Sequence, residues 1–106
     1  MSDARFMWKF VLRPWESGTL MPSGAILRHA AAQGDDVCVW AEVNPLAPTV
    51  ERSILVIPTG GAVDRNAKYI GTAHLVADGE PLVFHVYDLG LELIARDRDA
   101  TSREQR

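Results

Sequence analysis

The sequence has little cysteine and no excess of positive charge. Cys38 is the single cysteine among 106 residues, so no disulfide can form within the chain, as is usual for proteins of the reducing cytoplasm. The formal net charge is −3, from 11 basic and 14 acidic residues. Scaffolds for nucleic acids and polybasic membrane binders normally carry a positive surface, so this balance argues against nucleic-acid polymers and membranes as partners.

Long hydrophobic runs are also missing. No apolar stretch approaches the roughly 18 residues of a membrane-spanning helix, and no charged-then-apolar leader opens the chain. The default expectation is a soluble protein of the cytoplasm. The length is that of one ordinary domain, and 47% of the residues are hydrophobic. Because small domains often recruit a second copy to bury more surface, we expect a homo-oligomer.

Recognisable catalytic motifs are absent as well. The chain contains no HExxH, no CxxC pair, no serine elbow and no P-loop. A metal site needs three or four ligands; His74 and His85 supply two, and His29 lies on a different hairpin. Cys38 lies among small and branched residues, where a buried, inert thiol is the usual interpretation. The sequence therefore predicts no metal, no cofactor and no catalytic residue, and an enzyme that uses Cys38, His74 and His85 is the third alternative.

Short strands separated by turn signals fill the chain, which is typical of a small all-β fold. Strands are predicted at residues 5–14, 25–33, 37–43, 49–58, 68–77 and 80–88, with residues 15–24 as a loop. We expect a small antiparallel β-sandwich or a partly open barrel of about six or seven strands. This single β domain spans residues 1–90, and the charged residues 91–106 are expected to form a short tail that is mobile or partly helical.

Two hairpins can be placed in register. The first turns at Gln33-Gly34 or at Gly34-Asp35, and either turn puts Leu27 and His29 on one face of the sheet together with Cys38. The interpretation is open to a slip of one residue, which would exchange the two faces. Trp8 and Trp40 lie in predicted strands and are interpreted as core or interface anchors.

The second hairpin has the stronger signal. Asp78-Gly79 between alternating apolar residues predicts a two-residue turn, which places Ala77 opposite Glu80. One face of this hairpin is then apolar, and the other carries a cluster of polar residues that includes Thr72, His74, His85 and Tyr87. His74 and His85 become diagonal neighbours on this second face, which we expect to be solvent-exposed, a subunit interface or a pocket.

A polar, glycine-bearing loop over residues 59–67 is the other candidate site. Backbone amides of Thr59, Gly60 and Gly61 are of the kind that cradle an anion, and Arg65 and Lys68 lie nearby in sequence to supply positive charge. The alternative is an ordinary exposed connection, since the loop lacks the lysine and the following helix of a phosphate loop. Trp15 follows Pro14 in a separate loop and is a candidate for stacking on a ligand or a partner.

The order of several short motifs resembles a known family. "MWKFVL", "MPSGAIL", "VCVWAEV", a "TGG" loop, "YIGT" and "LVFHVYDLG" follow one another over roughly residues 6–88. This arrangement is similar to that of small uncharacterised proteins of bacteriophages and prophages, which begin with a Trp-Lys-Phe strand and end with a Leu-Val-Phe-His-Val strand. The family has no assigned function, so no residue role is carried over from it.

The resemblance implies a small accessory protein that acts in the cytoplasm of an infected bacterium. Such proteins usually act by binding, which favours a non-enzymatic protein that sequesters a small, anionic, nucleotide-type signal of host defence. The ligand-binding residues would be Thr59, Gly60, Gly61, Arg65, Lys68, His74, His85, Tyr87 and Trp15. The alternative is an inhibitor of a host protein or a structural accessory protein of the phage. Both alternatives are inferred from context and not from residue spacing.

Overall fold

The computed structural model describes residues 4–16 and 18–94, and all regular secondary structure in these residues is β-strand. The seven strands are β1 (Phe6–Leu12), β2 (Gly18–Pro22), β3 (Ile26–Gln33), β4 (Asp36–Val43), β5 (Thr49–Pro58), β6 (Lys68–Ala77) and β7 (Glu80–Ile94). Within the described residues, no helix is long and apolar enough to cross a membrane. The all-β prediction is therefore confirmed.

The strands form one sheet that curls into a nearly closed barrel. Its order is β1-β4-β3-β6-β7-β5-β2, and all neighbours are antiparallel except β3 and β6. The parallel contact pairs Ala30 with Gly71. A Cβ atom at Gly71 would lie 2.4 Å from the carbonyl oxygen of Ala30, so glycine allows the two backbones to approach this closely. Of the two predicted architectures, the partly open barrel describes the protein.

The hydrophobic core consists of alternate residues from the strands. On β4, for example, Val37, Val39, Ala41 and Val43 are all buried. They share a cluster with residues from the other strands, namely Leu12, Met21, Leu27, Ala30, Ile54, Ala73 and Val86, together with Ala25 just before β3. Burial of this apolar surface is the main force that closes the sheet upon itself.

The β6–β7 hairpin confirms the predicted register over most of its length. Asp78 and Gly79 form the turn with φ of 52° and 77°, and pairing runs in register from Ala77 opposite Glu80 as far as Gly71 opposite Val86. A bulge then shifts the register, so that Tyr69 instead of Ile70 lies opposite Tyr87. The bulge lets the Ile70 side chain pack against the core, where a regular strand would have placed it on the other face.

A second bulge changes the predicted faces of β3. The hairpin turns at Gly34-Asp35, the second of the two predicted placements, with φ of 62° at Gly34. Beyond the turn the predicted faces hold until the register shifts between Leu27 and His29. Leu27 then lies opposite Ala41 and is buried, so it does not share the outer face with His29. The bulge thus moves an apolar side chain into the core.

Strand β2 lies within residues 15–24, which the sequence analysis assigned to a loop. It pairs with β5 from Gly18 opposite Ser53 to Pro22 opposite Thr49, and Met21 is almost completely buried. Its five residues are too few to show a clear alternation, and Pro22 suits the last position of an edge strand. The loop prediction is wrong for this segment.

Strand β7 extends further than predicted. Its register with β5 shifts between Asp88 and Glu92, where the Gly90 amide donates to Asp88 Oδ1 at 2.8 Å and Gly90 has φ of 77°. Pairing with β5 resumes at Glu92 opposite Arg52, so residues 91–94 are strand and not helical turns. The remainder of the predicted tail, residues 95–106, lies outside the described residues.

Candidate functional site

The polar residues of the β6–β7 hairpin form a hydrogen-bonded cluster around His85. Its Nε2 atom lies 2.9 Å from Thr59 Oγ1, and its Nδ1 atom lies 3.2 Å from Thr72 Oγ1. In a neutral imidazole one ring nitrogen donates and the other accepts, so one threonine hydroxyl accepts a hydrogen bond and the other donates one. The ring is thereby held between two hydroxyl groups.

Each partner reaches His85 for a local reason. Thr72 lies directly opposite His85 in the antiparallel register. Thr59 follows β5 in a tight turn, in which the Gly61 amide donates to the Pro58 carbonyl at 2.9 Å and Gly60 has φ of 95°. This conformation favours glycine at the third turn position and carries Thr59 over the outer face of β7.

Two tyrosines extend the cluster along the same face. The Tyr69 and Tyr87 rings meet edge to face with centroids 5.5 Å apart, and the Tyr69 hydroxyl is hydrogen-bonded to Thr72 Oγ1. Tyr69 is 53% exposed, so its ring is accessible. We refer to Thr59, Tyr69, Thr72, His85 and Tyr87 as the histidine face. It combines an accessible aromatic ring with several hydrogen-bonding groups.

The other predicted loop residues differ in what they offer. The sequence analysis predicted that the Gly61 amide could bind an anion, but this amide donates to the Pro58 carbonyl within the turn and is not free to do so. Asp64 accepts from the backbone amides of Asn66 and Ala67, which organises the rest of the loop. Arg65 and Lys68 are exposed, and neither forms an ion pair within the described part of the chain.

His74 lies on the same side of the hairpin as His85, as predicted, but outside the hydrogen-bonded cluster, and Trp15 lies elsewhere. His74 is exposed opposite Val83 and forms no hydrogen bond with another described residue. No group of three His, Cys, Asp or Glu side chains that could hold a metal occurs among residues 4–16 and 18–94. Trp15 is 79% exposed and lines a pocket of about 240 Å³ away from the histidine face, with walls that include Leu12 and Phe84.

Cys38 is almost fully buried, with 1% of its surface exposed. Burial raises the pKa of its thiol, while Lys9 exerts a smaller opposing effect. A thiol with a raised pKa is a weaker source of thiolate at neutral pH, which fits the predicted inert role.

A buried ionic cluster was not anticipated from the sequence. Arg52 is 8% exposed and binds both carboxylate oxygens of Asp88, at 3.0 and 2.8 Å. It also donates to the Ala25 carbonyl at 2.9 Å and to Glu92 at 3.1 Å. In the sequence, the only indication was that Arg52 alternates with the apolar residues Val50 and Ile54, which are buried on the same face of β5. This pattern does not identify the residues that bind Arg52.

Glu92 connects this cluster to the turn between β2 and β3. It accepts hydrogen bonds from the Ser23 hydroxyl at 2.8 Å and from the Gly24 amide at 2.9 Å. Burial alone would raise the pKa of Glu92, but the Gly24 amide, the Ser23 hydroxyl and the Arg52 guanidinium together lower it below its ordinary value. Since every polar group here is used internally, the cluster has a structural role.

Comparison with known proteins identifies a family. A family model described as a domain of unknown function, DUF7352, matches residues 4–93, which cover all seven strands. No curated protein and no solved structure matches the chain. The family description gives no function and no link to bacteriophages.

Proposed function

This chain belongs to the DUF7352 family, and we propose from its own residues that it is a non-enzymatic protein that binds a small, anionic, nucleotide-type ligand. The observation that carries the proposal is the histidine face. There, an accessible tyrosine ring and several hydrogen-bonding groups share one face with His85. Arg65 and Lys68, close by along the chain, supply positive charge, and neither forms an ion pair with a described carboxylate.

The chemistry of these groups suits such a ligand. An exposed aromatic ring such as Tyr69 can stack on a planar base, a contact worth about 1–3 kcal/mol. Hydrogen bonds between a cationic side chain and a phosphate are stronger than neutral ones, and both cations lie in or next to the loop that contains Thr59. The threonine hydroxyls can both donate and accept, so they suit sugar or base edges.

The arrangement around His85 supports binding over catalysis. A histidine that acts as a general base usually has a carboxylate or a carbonyl that orients its second nitrogen. Here the second nitrogen of His85 faces the Thr72 hydroxyl, and the Gly61 amide, two residues after Thr59, is already used in the turn. The two threonine hydroxyls hold the His85 ring in place. They do not supply the carboxylate that a general base uses to orient its imidazole, and the Gly61 amide is not available to stabilise a developing negative charge.

The setting is part of the same proposal. The motif order resembles that of phage proteins, which supports a role in the cytoplasm of an infected cell, where sequestration of a nucleotide signal would blunt a host defence. The outer surface of a barrel is not concave, whereas small ligands usually occupy clefts. We therefore also propose that copies of the chain assemble so that neighbouring histidine faces enclose the ligand.

The experiment is a ligand screen on the purified protein. Mass spectrometry of the supernatant after denaturation would detect a co-purified nucleotide, and a panel of linear and cyclic nucleotides would be tested for a rise in Tm. A ligand that binds only the folded state must raise Tm. The proposal requires a released nucleotide, or a Tm rise that His85→Ala removes. If no nucleotide is released and none raises Tm, the proposal is wrong and an inhibitor of a protein becomes the better explanation.

His74→Ala is the matched control for His85→Ala. Both changes remove an imidazole from the same hairpin, but His74 lies outside the hydrogen-bonded cluster. Binding should survive the first change and be lost with the second. Light scattering would test the assembly, and a monomer in the presence of the ligand would contradict the proposed cleft.

A further inference from the structure

Strand β1 forms one end of the sheet, so one of its edges, called the free edge below, is paired with no described strand. It pairs with β4 without any register shift, from Phe6 opposite Val43 to Leu12 opposite Val37. On its other side no described strand is paired with it. It contains neither proline nor a bulge, two of the features that prevent a further strand from adding to an edge. The backbone N–H and C=O groups along this unpaired edge can therefore form hydrogen bonds with another strand.

Exposed apolar side chains are concentrated on this edge. Phe6 is 52% exposed, Met7 54%, Trp8 41% and Val11 43%, so four of the seven residues of β1 present large apolar surface. Phe6 and Trp8 lie on the inner face, opposite buried residues of β4, and Met7 and Val11 lie on the outer face. A strand that added here would cover apolar surface on both faces, as in recognition by β-strand addition.

The outer face of the edge is also positively charged. Lys9 lies between Met7 and Val11, and Arg5 and Arg13 flank the strand at positions that continue the same alternation. Lys9 donates to the Gln33 side chain, and none of these three cations forms an ion pair within residues 4–16 and 18–94. Basic and apolar residues thus alternate along the edge of a chain with a net charge of −3.

This charge pattern disfavours a second copy as the added strand. An antiparallel pair of β1 strands centred on Lys9 would place the two ammonium groups directly opposite each other. Centring the pair on Trp8 or Phe10 would still leave them as diagonal neighbours. Like charges across strands are destabilising, and a lysine on an edge strand is a common device against self-association. A strand with carboxylates on its outer face would convert the same repulsion into attraction.

We propose that the free edge of β1 binds an extended segment of another protein in which acidic and apolar residues alternate. Its carboxylates face Lys9 and the flanking arginines, and its apolar side chains cover Phe6 and Trp8. Main-chain hydrogen bonds to the edge supply affinity, and the alternation supplies specificity. This interaction is independent of the histidine face, so either proposal can fail without the other.

The test uses three synthetic peptides and the full-length protein. A nine-residue peptide that alternates glutamate and valine should bind saturably and shift the NMR amide signals of residues 6–12. A peptide with lysine in place of glutamate should bind at least about tenfold more weakly, which corresponds to about 1.4 kcal/mol. N-methylation of the glutamate–valine peptide should abolish binding, because it removes the donors of the new ladder.

A charge reversal separates this mechanism from a loss of folding. Lys9→Glu should weaken binding of the acidic peptide at least about tenfold and strengthen binding of the lysine peptide, a gain that an unfolded variant would not show. Unchanged affinities in this variant, or binding that survives N-methylation, would overturn the proposal. A concentration-dependent dimer in sedimentation experiments, lost on Met7→Lys, would also overturn it in favour of a second copy.

Discussion

Replacement of Arg52 by methionine should destabilise the protein strongly. The change keeps most of the apolar volume of the side chain but removes the cation. The side chains of Arg52 and Asp88 are each only 10% exposed and that of Glu92 is 23% exposed, so both carboxylates would lose their cationic partner in a poorly solvated place. Breaking a buried ion pair by removing one partner costs about 3–5 kcal/mol. That is a large part of the roughly 5–15 kcal/mol by which such domains are stable.

Urea denaturation followed by tryptophan fluorescence would measure this loss as a lower midpoint at an unchanged slope. For a domain of this size, a loss of about 3 kcal/mol should also lower Tm by at least about 12 °C. A triple variant that adds Asp88→Asn and Glu92→Gln should recover part of the loss, because no unpaired charge stays buried.

Arg28→Met is the matched control for this experiment. Arg28 also contacts both oxygens of a carboxylate, that of Glu42, but the two side chains are 51% and 32% exposed. Water and salt screen such a pair, so this variant should stay close to the unaltered protein. Similar effects of the two substitutions would refute the argument that burial, and not the ion pair as such, determines the cost.

Three further predictions follow from single residues. The folded state lowers the pKa of Glu92 below 4.5, so ionised Glu92 stabilises the protein above pH 4.5, and this stabilisation is lost as the pH falls through the folded pKa. Glu92→Gln should therefore reduce the loss of stability at acid pH. An unchanged loss of stability at acid pH in this variant would contradict the prediction. Gly71→Ala should cost about 1–3 kcal/mol, since the new Cβ would meet the Ala30 backbone, and a neutral result in urea denaturation would argue against the close β3–β6 contact. Cys38 should react with a thiol reagent only as the protein unfolds, since it is buried and the pKa of its thiol is raised; rapid labelling under native conditions would show that this region opens.

Local signals in the sequence were sufficient for part of the candidate site. The Asp78-Gly79 turn determines the register of the last hairpin, and the two-residue period of a strand then places Thr72 opposite His85. The same reasoning failed beyond Gly71, because a bulge adds a residue that alternation does not reveal. On β3 the bulge next to Arg28 had the same effect, and it moved Leu27 into the core.

Contacts between distant segments were beyond the reach of such reasoning. Thr59 reaches His85 across 26 residues of sequence, and Arg52 reaches Asp88 and Glu92 across 36 and 40. Strand β2 is also defined by its partner β5 and not by its own pattern. In each case the burial of one segment depends on where another segment lies, and turn residues and periodicity contain no information about that.

The position of β2 has a consequence for how the chain folds. The parallel contact at Ala30 and Gly71 is the junction between two antiparallel blocks, one made of β1, β4 and β3 and the other of β6, β7, β5 and β2. The three strands of the first block all occur before residue 44, but β2, which lies between β1 and β3 in the sequence, belongs to the second block and pairs with β5. The chain therefore passes from one block to the other three times, and neither block consists of one continuous segment. The second block can be completed only when β2 pairs with β5 across the intervening β3 and β4, so folding of the barrel should be slow and governed by long-range pairing.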